Sequence, residues 1–220
     1  MAVDGPSGSG KSSASRGAAR ALGLRYLDTG AMYRALTWWL MGVPADTEDE
    51  ALVASLAAKP AIEVGTDPDD PWTRVNGADV SRDIRTREVS AQVSAVAQVA
   101  AVRQHLIAQQ RAIIAAAAGG IVAEGRDIGT VVAPGAPLKV FLTADSGARA
   151  ERRAAEQGAA VDVTEADQAR RDRLDAAQSA KAADAVLIDA TGLTLAEVID
   201  TITRLARARM PLACAGDKRS

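Results

Sequence analysis

Short apolar runs alternate with amphipathic stretches along most of the chain, the pattern of strands and helices laid down in turn. Met1–Val3 is a short apolar run. Behind it, a glycine-rich segment leads into Lys11–Leu22, where alanines favour helix and Gly23 stops it. Arg25–Leu27 reads as a strand, with Asp28 or Thr29 placed to cap the helix that carries Arg34 one turn in. Trp38 and Trp39 follow on that helix as core residues, one of them able to border a site. Two further buried strands stand at Gly120–Ala123 and Leu138–Leu142, and a last one at Ala185–Asp189. Thr194 to Glu197 has the capping-box spacing, which starts a helix running to about Arg209, ahead of a frayed tail from Pro211.

Residues 44–105 interrupt this alternation. Pro44 and the acids Asp46, Glu48, Asp49 and Glu50 give a loop and a short helix start. Ala61–Val64 and Trp72–Val75 are strand-like, and Asn76-Gly77 is a tight-hairpin signal leading into Ala78–Val80. Val89, Val93, Val96 and Ala100 recur at helical spacing, predicting a helix over roughly Arg87–Ala115, with an interruption allowed. The segment is a small insert with its own sheet, set into a core formed by residues 1–43 and 106–220.

Composition narrows the class. The chain has 220 residues, 48% of them hydrophobic and 25% charged, enough for one buried core. The uncharged run between Arg111 and Glu124 is broken by Gly119 and Gly120 and is too short to span a bilayer. Asp4, Gly5 and Pro6 stand where a leader would turn apolar, so a cytoplasmic protein without a membrane partner is expected. A net charge of −2 argues against a nucleic-acid partner. One cysteine (Cys214) and one histidine (His105) exclude a disulfide framework and multi-cysteine or His-rich metal chemistry. Arginine outnumbers lysine 21 to 5, and guanidinium suits bidentate phosphate recognition.

The most informative stretch is Gly5-Pro6-Ser7-Gly8-Ser9-Gly10-Lys11-Ser12, which fits G-x-x-x-x-G-K-[ST] at every fixed position. Glycines let backbone N–H groups approach phosphate oxygens, Lys11 reaches the outer phosphates, the Ser12 hydroxyl can ligate Mg²⁺, and the following helix points its positive end at the same anion. A nucleoside triphosphate is the expected ligand, with residues 5–12 and Ser13 around it. Asn76 is the only asparagine and no Asn-Lys-x-Asp reader exists, which excludes switch GTPases. Motors usually exceed this length. A small-molecule kinase needs arginines at strand ends and in mobile segments to neutralise phosphate charge.

Such arginines occur in number. Glu124, Arg126 and Asp127 fall at the carboxyl end of a strand, where open parallel sheets bind ligands. Glu124 is placed for Mg²⁺ or its water shell and Arg126 for a phosphate; the simpler alternative is a solvated Arg126–Asp127 salt bridge. Arg149, Arg152 and Arg153 form either a solvated helix face or a closing lid that brings Arg149 to the nucleotide and Arg153 to the transferring group. Arg170–Asp175 is a second charged helical stretch.

Assembled, these segments resemble the bacterial cytidylate kinase family. The resemblance is carried by residues 4–12, Asp28-Thr29-Gly30-Ala31-Met32-Tyr33-Arg34, Asp83-Ile84-Arg85-Thr86, Glu124 to Val132 and Arg171-Asp172-Arg173-Leu174-Asp175. It implies an α/β, three-layer P-loop kinase fold with a central parallel sheet, a small monophosphate-binding insert at 44–105 and a short helical lid at about 149–175. It also implies ATP and Mg²⁺ as cofactors, CMP and dCMP as substrates, and a monomer acting in pyrimidine nucleotide metabolism. Arg34 and Arg126 would hold the acceptor phosphate, Thr29, Ser94, Arg103 and Asp127 would surround the cytosine, and Arg171 and Asp175 would meet the ribose. Cytosine presents one donor and two acceptors, which an acid and an arginine match, whereas uracil inverts two of these groups. The chain departs from the family after Asp175: Gln178 takes the place of an arginine, and Lys181 is the nearest substitute. Other readings are a kinase for UMP, AMP or shikimate, and a regulatory module that holds ATP without turnover.

Overall fold

The structure is a computed structural model that describes residues 1–44, 46–47, 49–157, 169–170, 172–175 and 179–209. Five parallel strands form the central sheet in the order β2-β6-β1-β7-β8: β1 Ala2–Asp4, β2 Arg25–Asp28, β6 Ile121–Gly125, β7 Lys139–Thr143 and β8 Val186–Asp189. Parallel strands covered on both faces are apolar on both, and every residue of β6 is buried accordingly.

Side chains alternate across the strands, so the sheet divides the core in two. Ala2, Leu27, Ile121 and Ala123 join one cluster with helix α2 (Thr29–Met41) and the insert. Val3, Tyr26, Val122, Val140 and Leu142 join the other, with helix α1 (Lys11–Leu22) and the last described helix, Leu195–Arg209. Leu27, Met32 and Leu36 are fully enclosed, and truncating any of them to alanine costs about 2–5 kcal/mol. This is the three-layer α/β architecture expected.

The remaining elements are helix α3 (Glu50–Leu56), a separate antiparallel sheet of β3 (Ile62–Val64), β4 (Thr73–Val75) and β5 (Ala78–Asp79), a 3-10 turn at Asp83–Arg85, helices α4 (Arg87–Val96) and α5 (Ala100–Ala116), and helix α6 (Ser146–Gln157) after β7. Asn76 and Gly77 adopt φ of 51° and 83°, the left-handed pair a tight hairpin requires. Residues 87–115 form two helices, with the break at 97–99. Each helix buries a different face: α4 places Val89, Val93 and Val96 inward and packs on α2, while α5 buries Val102 and Leu106 and packs on α3.

The insert is tied to the core at its edge. The N–H of Tyr26 donates to the carbonyl of Thr66 at 2.9 Å. Arg16 and Arg20 of α1 donate to the Pro68 carbonyl at 3.3 and 3.0 Å. His105 sits half-buried on α5 against Gln109, and Trp38 and Trp39 pack against the first cluster. Among the described residues, no helix is long and apolar enough to cross a membrane. The tail from Pro211, including Cys214, lies outside the described residues.

Candidate active site

The loop between β1 and α1 sits at the carboxyl end of the sheet. Gly8 and Gly10 take φ of 76° and 85°, left-handed values that turn successive N–H groups to one side. Gly10 caps α1 without a side-chain hydrogen bond, so the first N–H groups of the helix are not spent on a cap. At Gly5 a Cβ would lie 2.1 Å from the Leu142 carbonyl oxygen, so only glycine lets the loop pass β7. Lys11 Nζ donates to the Pro6 carbonyl at 3.2 Å, folding back across the loop. Arg149 Nη1 donates to the Ser7 carbonyl at 3.1 Å and to Asp172 at 2.6 Å. Arg152 reaches the carbonyls of Ser9 and Ala190 at 3.4 and 2.6 Å. Helix α6 therefore leans on the loop through Arg149 and Arg152.

Strands β2 and β6 pair with Asp28 beside Glu124, which brings two acids to one end of the sheet. Asp28 caps α2, its Oδ1 accepting from the Ala31 N–H at 2.9 Å, and its Oδ2 accepts from Arg85 at 2.6 Å. Burial pushes its carboxyl up, but the Arg85 charge and the hydrogen bonds outweigh that and hold it below the usual carboxylate value. Thr29 Oγ1 donates to the Glu124 carbonyl at 2.6 Å, and Tyr26 Oη to Glu124 Oε1 at 2.6 Å. Glu124 is 1% exposed, and its Oε2 has no hydrogen-bond partner among the described residues. Burial, then the charge of Asp28, raises its pKa against the opposing pull of Lys11, Tyr26 and Ser12.

The other wall belongs to α2, α4, α5 and the turn after β6. Arg34 is buried and donates to the Ile84 carbonyl and Ser90 Oγ at 3.1 and 2.9 Å. Arg103 pairs with Asp127. Arg126 donates to Asp175 Oδ2 at 3.1 Å and to the Gly5 carbonyl at 3.0 Å. The Asp4 carboxylate accepts from the N–H groups of Ile128 and Gly129, each at 2.8 Å, and so fixes the turn that presents Arg126 and Asp127. Burial pushes the Tyr33 phenol, on the same wall, up to about 12.

One cleft gathers most of the residues singled out in the sequence. Ser7, Gly8, Gly10, Lys11, Ser12 and Ser13 line it on the loop side, facing Thr29, Arg34, Ser94 and Arg103. Glu124, Arg126, Asp127 and Asp175 complete it. Gly5, Pro6 and Ser9 shape the loop without lining the cleft, and Arg149 stands behind Ser7. The simple Arg126–Asp127 bridge does not form, because each residue has a more distant partner. Arg153 lies in α6, but its side chain is outside the described set, as are Arg171 and Gln178 altogether. The sequence reading gave no role to Tyr26, Tyr33 or Arg85. Arg85 stood inside the quoted Asp83–Thr86 motif and Tyr33 inside the Asp28–Arg34 motif, while Tyr26 carried no signal beyond apolar periodicity.

The donor set fits Mg²⁺. Among the described residues no three His, Cys, Asp or Glu side chains gather, but Mg²⁺ bound with a nucleotide takes one or two protein ligands and completes its shell with phosphate and water. The buried, unpartnered Oε2 of Glu124 and the hydroxyl of Ser12 supply such a pair of hard oxygens.

Comparison with known proteins gives the family. A family model described as cytidylate kinase matches residues 1–208. The cytidylate kinase of Streptomyces griseus subsp. griseus is 50% identical over 214 residues, covering 95% of this chain and 93% of that protein. That of Mycolicibacterium paratuberculosis is 45% identical over 222 residues, 97% of each chain. A bifunctional pantoate ligase/cytidylate kinase of Synechocystis sp. is 48% identical over 217 residues, which are 93% of this chain and 42% of the longer protein. Matched by the family model from residue 1 to 208 and by these relatives over nearly its full length, the chain belongs to the cytidylate kinase family.

Proposed function

We propose that the chain transfers the γ-phosphoryl group of ATP to the phosphate of CMP or dCMP, giving ADP and CDP or dCDP. The observation that carries this reading is the cleft that faces the phosphate loop with Arg34, Arg126 and the Arg103–Asp127 pair. ATP lies along residues 5–13 with Arg149 beside it, its phosphates on the loop N–H groups and Lys11. Ser12 and Glu124 hold Mg²⁺, which when bound neutralises phosphate charge.

The acceptor enters from the insert side, residues 44–105. Arg34 and Arg126 receive its phosphate, Thr29, Ser94, Arg103 and Asp127 its base, and Arg171 and Asp175 its ribose. An ionised oxygen of the CMP phosphate attacks the γ-phosphorus in line. The bond from that phosphorus to the β,γ-bridging oxygen breaks, and ADP carries away the electron pair. No general base is required because the nucleophile is already ionised. The protein contributes positioning and charge, with Lys11, Arg126, Arg34 and Arg153 around the transferring group and the lid at 149–175 excluding water. A monomer in the cytoplasm, with small-molecule partners only, completes the reading. Incubation with ATP, Mg²⁺ and CMP followed by chromatography tests it: CDP must accumulate in step with ADP, and ADP without CDP contradicts it.

A further inference from the structure

Glu124 is held at both ends. Its backbone carbonyl receives Thr29 Oγ1 and its Oε1 receives Tyr26 Oη, each at 2.6 Å. The second contact follows from sheet register. Tyr26 pairs with Val122 and Asp28 with Glu124, so Tyr26 stands diagonally across from Glu124 on the same face. The ring is anchored in the cluster formed by α1 and the last described helix, which leaves the hydroxyl little freedom. A phenol has one proton to give. Here it goes to Oε1, while Oε2 is buried with no hydrogen-bond partner among the described residues.

We propose that Tyr26 is a positioning residue: by holding Oε1 of Glu124 it keeps Oε2 available to the Mg²⁺ that accompanies ATP. The inference rests on the reading of Glu124 as a metal ligand. Partners one shell out from a ligating carboxylate typically change metal affinity by about 10–100-fold when removed.

The test is calorimetric titration of ATP into the full-length protein with and without Mg²⁺, in wild type, Tyr26→Phe, Glu124→Gln and the double variant. The Mg²⁺-dependent gain in ATP affinity should shrink about 10-fold in Tyr26→Phe, the low end of that range. Affinity for metal-free ATP and KM for CMP should stay at their wild-type values, and the double variant should be no worse than Glu124→Gln. Loss of the gain in Glu124→Gln with full retention in Tyr26→Phe overturns the positioning role alone. Retention of the gain in Glu124→Gln overturns the metal reading itself. Unfolding midpoints without metal separate the two kinds of effect, because a purely structural tyrosine lowers the midpoint and leaves the gain intact. If Tyr26→Phe does not fold, Glu124→Asp takes its place. Its shorter carboxylate cannot hold both positions, so it must lose the gain with Tyr26 present, and its retention of the gain overturns the proposal.

Discussion

Arg126 donates from Nε to Oδ2 of Asp175 at 3.1 Å, a bond that joins the turn after β6 to the helical residues 172–175. The same guanidinium reaches the Gly5 carbonyl at 3.0 Å, so one arginine touches Asp175 and the phosphate loop together. Arg149 repeats the arrangement with Asp172 and Ser7. Asp172 and Asp175 therefore stand against Arg149 and Arg126, the two arginines proposed to meet phosphate.

Lys11 and Arg126 carry the heaviest catalytic assignment. Replacing either with alanine should lower kcat by about 10³-fold, the scale of losing a preorganised cation beside a transferring phosphoryl group. Circular dichroism should show the fold retained, since Lys11 reaches the Pro6 carbonyl and Arg126 the Gly5 carbonyl and the partly exposed Asp175, all outside the two core clusters. Turnover near wild type in either variant removes the residue from the mechanism.

Arg103 and Asp127 form an ion pair, and the proposed function gives this pair the reading of the base. Asp127→Asn should raise KM for CMP by about 10–100-fold, the worth of one hydrogen bond to a charged group, and leave KM for ATP unchanged. Preference for CMP over UMP should fall in the same variant. A parallel rise in both KM values would mark a folding defect instead.

Glu124 sets activity against stability. Its pKa is raised by burial, so the protein holds this proton more tightly folded than unfolded. The stability tied to that proton is complete below the ordinary value of 4.5 and is lost as pH rises through the folded-state value. Glu124→Gln should therefore raise the unfolding midpoint of the metal-free protein at pH 7, with the advantage vanishing near pH 4, while kcat collapses. An equal midpoint difference at both pH values contradicts the account.

Asp28 caps α2 and receives Arg85 from the insert. Asp28→Ala should cost about 1–2 kcal/mol, the loss of a good cap with a modest ion pair, lowering Tm by about 2–8 °C in differential scanning calorimetry. Arg85→Ala should cost less, because the cap survives.

Local signals explain how much of this was legible in the sequence. Gly23 ends α1 in a left-handed conformation, Asn76-Gly77 turns the hairpin, and Thr194 and Glu197 exchange the capping-box bonds at 2.8 and 3.3 Å. Each is settled within four residues of chain. The break at 97–99 was legible only as an allowance, since valines continue through it while the face they bury changes. Side-chain partnership was not legible. Arg126 sits next to Asp127 in sequence, yet pairs 49 residues away with Asp175, and Tyr26 meets Glu124 across 98 residues. Strand order brings these groups together, and no spacing rule carries that information.

The central claim is tested most directly by ADP release from ATP and Mg²⁺ with CMP, dCMP, UMP and AMP in parallel. The account predicts turnover strongest with CMP and dCMP, weaker with UMP and lowest with AMP. Preferential turnover with UMP or AMP, or none at all while ATP still binds, would contradict it.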